Sequence, residues 1–395
     1  LVVLGSIQQK GLNPLKILSA SDIHLDTFSS FALPVSNPVS NSRLENILQA
    51  LEYFFEAGIE QGITTYVFNG DTFNNRNKMN PNFYFYCVKK VVNMFNKTPS
   101  GSTLYFNVGN HSEMGRFINP NSDQIFESFS TDTHSIVVIR KEAELYTLQD
   151  NTGLLFVPFT EDVKSSKKML AEQLDYITKN KLKTAVFAHL GVDGSSSGRW
   201  ASHKLGGAYN LADLGWNRKY VTGITLGHYH TRQTLKQKGN KKAWYQGDLT
   251  ELNFNDVNED GTGAPRGFDI IDTETGESEF YDLSDKFPKF MIYDLDQDKI
   301  NIDELIDSMN KNYVKIVVHD KEVYEQLTKA YKEQHQEGTP YANIQLKVEP
   351  KQEQELEISA TESDSDILGK YMDKFYQDKD LKELALSYLE KAESD

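Results

Sequence analysis

The first 230 residues alternate between short apolar runs and longer amphipathic segments, and this alternation restricts the folds open to the chain. Five runs have strand length and are apolar; they are residues 15–20, 65–68, 103–108, 184–188 and 221–226. Three segments repeat apolar residues every three or four positions, as helices do; they are residues 43–56, 82–96 and 163–180. This alternation predicts an α/β fold in which helices cover a largely parallel sheet.

Polar side chains with metal-binding chemistry follow each of the five predicted strands. In chain order they are Asp22 and His24, then Asp71, then Asn110 and His111, then His189, and finally His228 and His230. The carboxyl ends of parallel strands share one edge of a sheet, so we expect these side chains to lie together. Seven of them, all except His111, form the mixed oxygen and imidazole set that two neighbouring divalent cations require.

Several details agree with a site for two cations. Asp71 is the natural carboxylate to bridge the two ions. Gly70, Gly109 and Gly227 each precede a candidate ligand and leave room for tight backbone turns. Each motif alone has an ordinary structural explanation, such as capping or a surface turn, and only the ordered set indicates a metal centre.

The charge of the chain bears on its substrates. Lys and Arg number 42 against 57 Asp and Glu, a formal net charge of −15, which repels nucleic acid at long range unless cations, a basic patch or a basic partner intervene. Acidity that serves only solubility is the alternative.

Four lysines surround Gly239 and are predicted at a hairpin tip near the metal edge. They either contact DNA phosphates or are merely solvated; they are Lys236, Lys238, Lys241 and Lys242. Further candidate phosphate contacts are Arg199, His203 and Lys204.

The remainder of the chain is predicted to form smaller units. A hairpin at 268–273 and 278–283 closes the first domain, and a β-α-β-α-β pattern follows an interdomain linker. Two helices are predicted near the C-terminus, after an acidic linker. This pair either folds back onto the chain or docks on another protein. The predicted boundaries are 1–14 for an N-terminal extension or tag remnant, 15–285 for the main domain, 286–350 for a small α+β domain, 351–366 for an acidic linker and 367–395 for C-terminal helices.

Two further features concern location and assembly. No run approaches 18 apolar residues, so we expect no membrane partner. The single cysteine, Cys87, excludes an intramolecular disulfide and favours a reducing, cytoplasmic setting.

The second predicted helix has aromatic rings on nearly every face, at Phe83, Tyr84, Phe85 and Tyr86. Another subunit could bury part of this ring area; burial within the helix's own domain is the alternative.

The ordered motifs resemble the calcineurin-like metallophosphoesterase superfamily. Within it, Ser21-Asp22-Ile23-His24-Leu25 and Gly227-His228-Tyr229-His230-Thr231 resemble the SbcD-type nuclease subunits. So do Tyr245-Gln246-Gly247-Asp248 and the later Pro265-Arg266-Gly267-Phe268. The resemblance implies a metallophosphoesterase β-sandwich with flanking helices, a capping domain at 286–350 and terminal helices that grip the coiled coil of an SbcC-type ATPase. It also implies a homodimer within a 2:2 assembly.

The resemblance implies a manganese-dependent DNA nuclease. Such an enzyme would be a 3′-to-5′ exonuclease on duplex ends and an endonuclease on single strands, active in repair and recombination. One Mn²⁺ would be held by Asp22, His24 and His230, and the other by Asn110, His189 and His228, with Asp71 bridging and Mg²⁺ as a possible substitute. His111 would lie beside the scissile phosphate and assist the leaving oxygen.

This chain departs from the family pattern at two positions. Ser112 stands where relatives carry the Asp that orients the catalytic histidine, so we expect His111 to be held less firmly and to have a lower pKa. Asn74 replaces an acid that many relatives have. Neither residue is a predicted metal ligand, so metal binding should survive while turnover falls about 10–100-fold. The alternatives are a phosphomonoesterase or cyclic-nucleotide phosphodiesterase, and a degenerate scaffold without catalysis.

Overall fold

The computed structural model describes residues 16–75, 79–112, 121–140, 142–148, 152–196, 207–258, 261–295, 301–334, 343–347, 363–375 and 379–394. The predictions for the N-terminal extension, for Arg199, His203 and Lys204, and for most of the acidic linker fall outside these ranges. The chain divides into two compact units, Leu1–Leu346 and Lys347–Asp395.

Fifteen strands and seven α-helices occur in the described ranges. The strands are β1 (Lys16–Ala20), β2 (Thr65–Phe68), β3 (Ser102–Asn107), β4 (His134–Ile139), β5 (Glu144–Leu148), β6 (Thr152–Val157), β7 (Lys183–His189), β8 (Val221–Gly227), β9 (Gln233–Lys238), β10 (Lys241–Tyr245), β11 (Gly267–Asp272), β12 (Ser278–Asp282), β13 (Phe290–Asp294), β14 (Tyr313–Val318) and β15 (Asn343–Leu346). The helices are α1 (Ser42–Glu60), α2 (Pro81–Phe95), α3 (Val163–Asn180), α4 (Ile302–Lys311), α5 (Lys321–Gln334), α6 (Asp364–Phe375) and α7 (Lys379–Ser394).

The strands of the main domain form two six-stranded sheets. The first has the order β12-β11-β1-β2-β3-β4, in which β1 to β4 are parallel and β11 returns antiparallel to β1. The second has the order β5-β6-β7-β8-β10-β9, with parallel pairing from β6 to β10 and an antiparallel strand at each edge.

The prediction that all five polar-tipped strands share one sheet is wrong. The strands β1, β2 and β3 lie in the first sheet, whereas β7 and β8 lie in the second. The two sheets pack face to face over one core cluster, to which both contribute alternate residues, among them Val67, Phe187 and Trp244. An apolar run shows that a strand is buried on both faces, but it does not reveal which strand lies beside it.

Helices cover the outer faces of this sandwich. The helices α1 and α2 share a core cluster with the first sheet, and α3 shares one with the second. Asn41 caps α1 by accepting hydrogen bonds from the backbone N–H groups of Arg43 and Leu44, and such a cap stabilises a helix by about 1 kcal/mol. Asn80 caps α2 by accepting a hydrogen bond from the backbone N–H of Asn82, and Pro81 stands in the first turn.

The α2 aromatics are largely engaged within their own domain. Phe83 is buried, Tyr84 donates to the carbonyl of Ser122 at 2.5 Å, and Tyr86 donates to Glu45 at 2.9 Å. Phe85 is 63% exposed. The predicted homodimer stays a prediction, and Phe85 is the ring of this group that is available to it.

The predicted β-α-β-α-β elements are present as a parallel sheet of β13, β14 and β15 with α4 and α5. Arg43 of α1 fastens this small sheet to the main domain, because its buried guanidinium lies 5.1 Å from the ring centroid of Phe290 and 5.4 Å from that of Tyr313. The buried carboxylate of Glu251 accepts a hydrogen bond from the backbone N–H of Phe290. The capping role itself stays a prediction.

The second compact unit contains α6 and α7, which pack against each other. Leu384 and Tyr388 of α7 are exposed. Across the described residues, no helix combines the length and apolar character needed to cross a membrane. The architecture confirms the predicted fold class, an α/β sandwich with flanking helices, a small α+β unit and C-terminal helices.

Candidate metal centre

The backbone is bent at the strand ends that carry the candidate ligands. Among the described residues, six non-glycine positions have a positive φ, and four of them are Asp22, His24, Asp71 and His228. Their φ values are 50°, 50°, 49° and 99°. Side-chain-bearing residues rarely adopt this conformation, and such strain concentrates at functional sites where the surrounding structure enforces it.

Two glycines make room for this crowding. Gly70 has φ +99°, and a Cβ there would fall on the ring of His189. A Cβ on Gly109 would lie 2.6 Å from the backbone nitrogen of Asp71 and closer still to its carboxylate. Glycine at these positions therefore lets the strand ends approach one another, as the sequence predicted.

Buried polar contacts join the two sheets beneath the site. Asn69 is fully buried at the end of β2, and its amide donates to the carbonyls of Ala188 and Thr225 in the second sheet at 3.3 Å each. Its side-chain oxygen accepts from Asn107 at 2.9 Å. The backbone N–H of His228 donates to both carboxylate oxygens of Asp22, at 3.0 and 3.2 Å. These contacts bring ligands from separate sheets to one place.

One group of potential ligand atoms comprises Asp22, His24 and His230, which lie within 4.8 Å of one another. This trio matches the ligands expected for the first ion. Both ring nitrogens of the buried His24 lack a hydrogen-bond partner. A buried imidazole without a partner is costly, and a coordinated cation would satisfy it.

A second group comprises Asp22, Asp71 and His189, again within 4.8 Å. Oδ2 of Asp71 lies 3.1 Å from Nε2 of His189 and 3.9 Å from Nε2 of His24, so the carboxylate stands between histidines assigned to different ions. Nδ1 of His189 lies 2.8 Å from the carbonyl of Asn69, which orients Nε2 toward Asp71. This position suits a bridging ligand, and Asp22, which occurs in both groups, is equally central.

The remaining predicted ligands lie beside these groups. Nδ1 of His228 lies 2.8 Å from the side-chain oxygen of Asn110. The rings of His228 and His189 are 5.5 Å apart. The structure therefore brings all seven predicted ligands into one cluster, and their division between two ions stays a prediction.

His111 adjoins the cluster and is held in place. Its backbone N–H donates to Asp71 at 2.8 Å, and Nδ1 of its ring lies 2.6 Å from the carbonyl of Asn74. The ring lies 4.9 Å from that of His24. The carbonyl of Asn74 supplies an orienting partner for this ring. The expectation that Ser112 leaves His111 less firmly held stays a prediction.

Ser112 turns away to a buried acid that the sequence did not reveal. Its hydroxyl donates to Asp123 at 2.7 Å, and both residues are fully buried. Burial raises the pKa of Asp123 to about 7, although the hydrogen bond from Ser112 lowers it in part. A carboxyl group thus lies behind the Asn-His pair, contributed by a position eleven residues after Ser112.

Burial keeps two of the histidines neutral. It lowers the pKa of His24 to about 3 and that of His228 to about 4. A neutral imidazole is the form that binds a metal ion. These two rings are therefore ready to coordinate without losing a proton.

The other buried groups interact as ion pairs. Burial alone would raise the pKa of Asp71, but His189, His24 and His111 together outweigh this effect and lower it. Burial would lower the pKa of His189, yet Asp71, Asp22 and the carbonyl of Asn69 together raise it to about 9. His230 behaves likewise, since Asp248 and Asp256 overcome burial and raise its pKa to about 10. Cation binding would displace protons from these rings.

The donor set fits a pair of divalent cations. It combines carboxylate, amide and imidazole donors, and both ring nitrogens of His24 and Nε2 of His189 are buried without a hydrogen-bond partner. Sequence reasoning missed Asp248 and Asp256, which form a third close group with His230. They lie in the turn-rich passage after β10, where acids and asparagines are frequent and no strand end distinguishes them; only the Gln246-Gly247-Asp248 motif was a signal.

The lysine cluster does not lie near this centre. The strands β9 and β10 form the predicted hairpin around Gly239, but β10 runs parallel to β8, with Tyr245 beside Leu226. The centre follows the end of β8, whereas the tip precedes β10, so the two lie at opposite ends of the sheet, about 15–20 Å apart. Lys241 donates to the carbonyls of Trp216 and Arg218 there.

Comparison with known proteins identifies no family. No family model and no curated protein matches the chain. Similar solved structures include a dimetal phosphatase from Danio rerio, with 10% identity, a TM-score of 0.40 and coverage of 69% of this chain and 99% of that one. Another is a putative 5′-nucleotidase from Staphylococcus aureus in complex with alpha-ketoglutarate, with 14% identity, a TM-score of 0.40 and coverage of 67% of this chain. This chain spans 53% of the latter protein.

Proposed function

We propose that this chain is a two-metal phosphoester hydrolase. The observation that carries the proposal is the convergence of seven carboxylate, amide and imidazole side chains from the ends of five strands, with the buried ring nitrogens of His24 left without partners. The cost of burying these groups, together with the strained backbone that presents them, is difficult to explain without a ligand.

The residues divide by position. Asp22, His24 and His230 would hold one cation, and Asn110, His189 and His228 the other, with Asp71 between them. Bound divalent cations would supply charge neutralisation at the phosphoryl oxygens and an acidified water. The chain's own part is to fix these ligands through strand ends from both sheets, so that the binding geometry exists before substrate arrives.

His111 is the group proposed to handle the proton. The carbonyl of Asn74 accepts from Nδ1, which leaves Nε2 as the exchangeable position. Asp71 holds the backbone of the same residue at 2.8 Å. A ring fixed in this way, beside His24, can donate a proton to a leaving oxygen or stabilise its charge.

The substrate we propose is DNA, and the motif resemblance to SbcD-type subunits supports it. The small sheet of β13 to β15 and the C-terminal helices have the place along the chain that a capping domain and a partner-binding element have in that family. An SbcC-type ATPase would then supply the DNA affinity that the acidic chain lacks. Exposed Leu384 and Tyr388 on α7 are the apolar contacts such a partner would cover.

Hydrolysis of phosphate monoesters is the second candidate. The two structural neighbours are named as a phosphatase and a 5′-nucleotidase, and the distance of the lysine cluster from the centre removes one expected DNA contact. A monoesterase would not need the small sheet or the C-terminal helices. The comparison of substrates below separates the two candidates.

The test uses purified full-length chain stripped with chelator and reloaded with Mn²⁺ or Mg²⁺. Rates are compared on duplex DNA, single-stranded DNA, a nitrophenyl phosphate monoester and the corresponding diester. We expect Mn²⁺-dependent cleavage of DNA and of the diester, with little monoester hydrolysis. A monoester rate far above the DNA rate would favour the second candidate.

The variant His111→Ala tests the proton-handling role. We expect it to take up two metal equivalents and to lose cleavage by a factor of about 100 or more. The matched control is His319→Ala, which removes a half-buried histidine of the small sheet that pairs with Asp294. Full activity in His111→Ala would refute the assignment, and uptake of less than about one ion by wild type would favour a non-catalytic scaffold.

A further inference from the structure

Two buried acids lie next to Nδ1 of His230. Oδ1 of Asp256 is 3.2 Å from Nδ1 of His230, and Oδ2 of Asp248 is 3.6 Å from the same nitrogen. Asp248 is fully buried and Asp256 is 5% exposed. The other ring nitrogen, Nε2, is thereby left for the group that His230 forms with Asp22 and His24.

The surrounding loop fixes both acids relative to the histidine. The backbone N–H of Asp248 donates to the carbonyl of His230 at 3.1 Å. The second carboxylate oxygen of Asp256 accepts from the N–H of Asn253 at 3.0 Å. Buried Arg266 joins the two segments, because its guanidinium donates to the carbonyls of both His230 and Asp256. The arrangement is a rigid frame rather than a chance approach of side chains.

Asp248 is anomalous within this frame. Neither of its carboxylate oxygens has a hydrogen-bond partner, although the residue is wholly buried. An unpaired buried carboxylate is strongly unfavourable unless positive charge lies close by. Arg266 directs its hydrogen bonds to backbone carbonyls. The group that can compensate the negative charge of Asp248 is therefore the ring of His230, whose Nδ1 lies 3.6 Å away.

The charges of the centre supply a reason for the two acids. Two divalent cations bring four positive charges, and the only carboxylates among the seven ligands are Asp22 and Asp71. Coordination also draws electron density from an imidazole and makes its distal N–H more positive. Asp248 and Asp256 lie where they would offset that remaining charge, and Asp256 would fix the ring with its proton on Nδ1.

We propose that Asp248 and Asp256 are positioning residues that set the metal affinity of the position formed by Asp22, His24 and His230. This inference rests on the proposed function in that it requires the centre to hold divalent cations. The acids act through His230 and coordinate no ion themselves. Asp248 would stabilise the loaded centre, and in the metal-free protein it pairs with His230.

The experiment is calorimetric titration of the chelator-stripped full chain with Mn²⁺, for wild type, Asp248→Asn and Asp256→Asn. Both substitutions keep the side-chain shape and remove a charge. We expect one of two uptake steps to weaken by about 10–100-fold, while the other changes little. The loss confined to one uptake step is a readout that a merely structural role would not produce.

The control is Asp294→Asn, which removes the acid 3.1 Å from Nε2 of His319 in the small sheet and should leave both uptake steps unchanged. Wild-type affinities in both centre variants would overturn the inference while leaving the proposed function intact. A third equivalent of Mn²⁺ in wild type that is lost in Asp248→Asn would also overturn it, since the acids would then be ligands. Absence of metal uptake by wild type would refute both proposals.

Discussion

Substitution of Gly109 by alanine should disable the metal centre more than it destabilises the fold. The added Cβ would lie 2.6 Å from the backbone nitrogen of Asp71, which is about 0.8 Å inside the 3.4 Å limit of ordinary contact, and still closer to the carboxylate. Asp71 or the loop of Gly109 must therefore move by most of an ångström. Metal–ligand distances tolerate only about 0.2 Å.

The two consequences differ in size. Overpacking of a dense site typically costs about 1–3 kcal/mol of unfolding free energy. Displacement of Asp71, the proposed bridging carboxylate, should lower Mn²⁺ affinity by about 100-fold or more, because disturbing only the supporting contacts of a ligand costs about 10–100-fold. Urea unfolding in chelator measures the first quantity, and calorimetric titration with Mn²⁺ measures the second.

Gly223→Ala is the matched control for Gly109→Ala. Its Cβ would meet its nearest atom, the carbonyl oxygen of Lys242, at an ordinary 3.5 Å, and its φ is not positive. We expect its metal affinity to equal that of wild type. Wild-type affinity in Gly109→Ala itself would show that Asp71 is not held where the reasoning requires.

Three further predictions concern stability. Asn69→Ala removes three buried hydrogen bonds, two of which join the sheets, and should lower the unfolding free energy in urea by about 3 kcal/mol; a loss below about 1 kcal/mol would contradict this. Burial favours the neutral carboxyl group of Glu251 and raises its pKa from 4.5 to about 7. The contribution of this group to the unfolding free energy is therefore complete below pH 4.5 and is lost as the pH rises through 7. Glu251→Gln should remove up to about 3 kcal/mol of that pH dependence, measured by unfolding between pH 4.5 and 8, and an unchanged slope would refute it. Saturating Mn²⁺ at 100 times its Kd should raise the unfolding free energy by about 2.7 kcal/mol, seen as a higher melting temperature, and no rise would argue against binding to the folded state.

The local pattern of apolar residues in the sequence was sufficient to predict much of the fold. The continuous apolar runs gave β1, β2, β3, β7 and β8 within one or two residues, because strands buried on both faces need no polar alternation. The strands β4, β5 and β6 were not predicted. The strands β4 and β6 nevertheless contain four-residue apolar runs, at 136–139 and 154–157, of the same length as β2, whereas β5 is mixed in polarity.

The site was predictable in its ligands but not in its supports. Asp22, His189 and His228 stand next to strand ends and could be selected by position alone. Asp248 and Asp256 approach His230 from loops, and Asp123 approaches Ser112, by contacts that no spacing encodes. The division of the ligands between two sheets was equally hidden, since β11 comes back to pair with β1 across 250 residues of chain.

Because the proposed ligands come from both halves of the sandwich, the centre is complete only after His230 has been made, and the sandwich only after residue 282 of 395. Asp22, Asp71 and Asn110 are synthesised early, yet the sheet that carries them acquires its last strands only at residues 267–282. An emerging chain therefore holds half of a chelating site for much of its synthesis. Metal binding would stabilise the folded chain only late in its synthesis. A fragment ending before β8 should be unable to retain manganese through gel filtration.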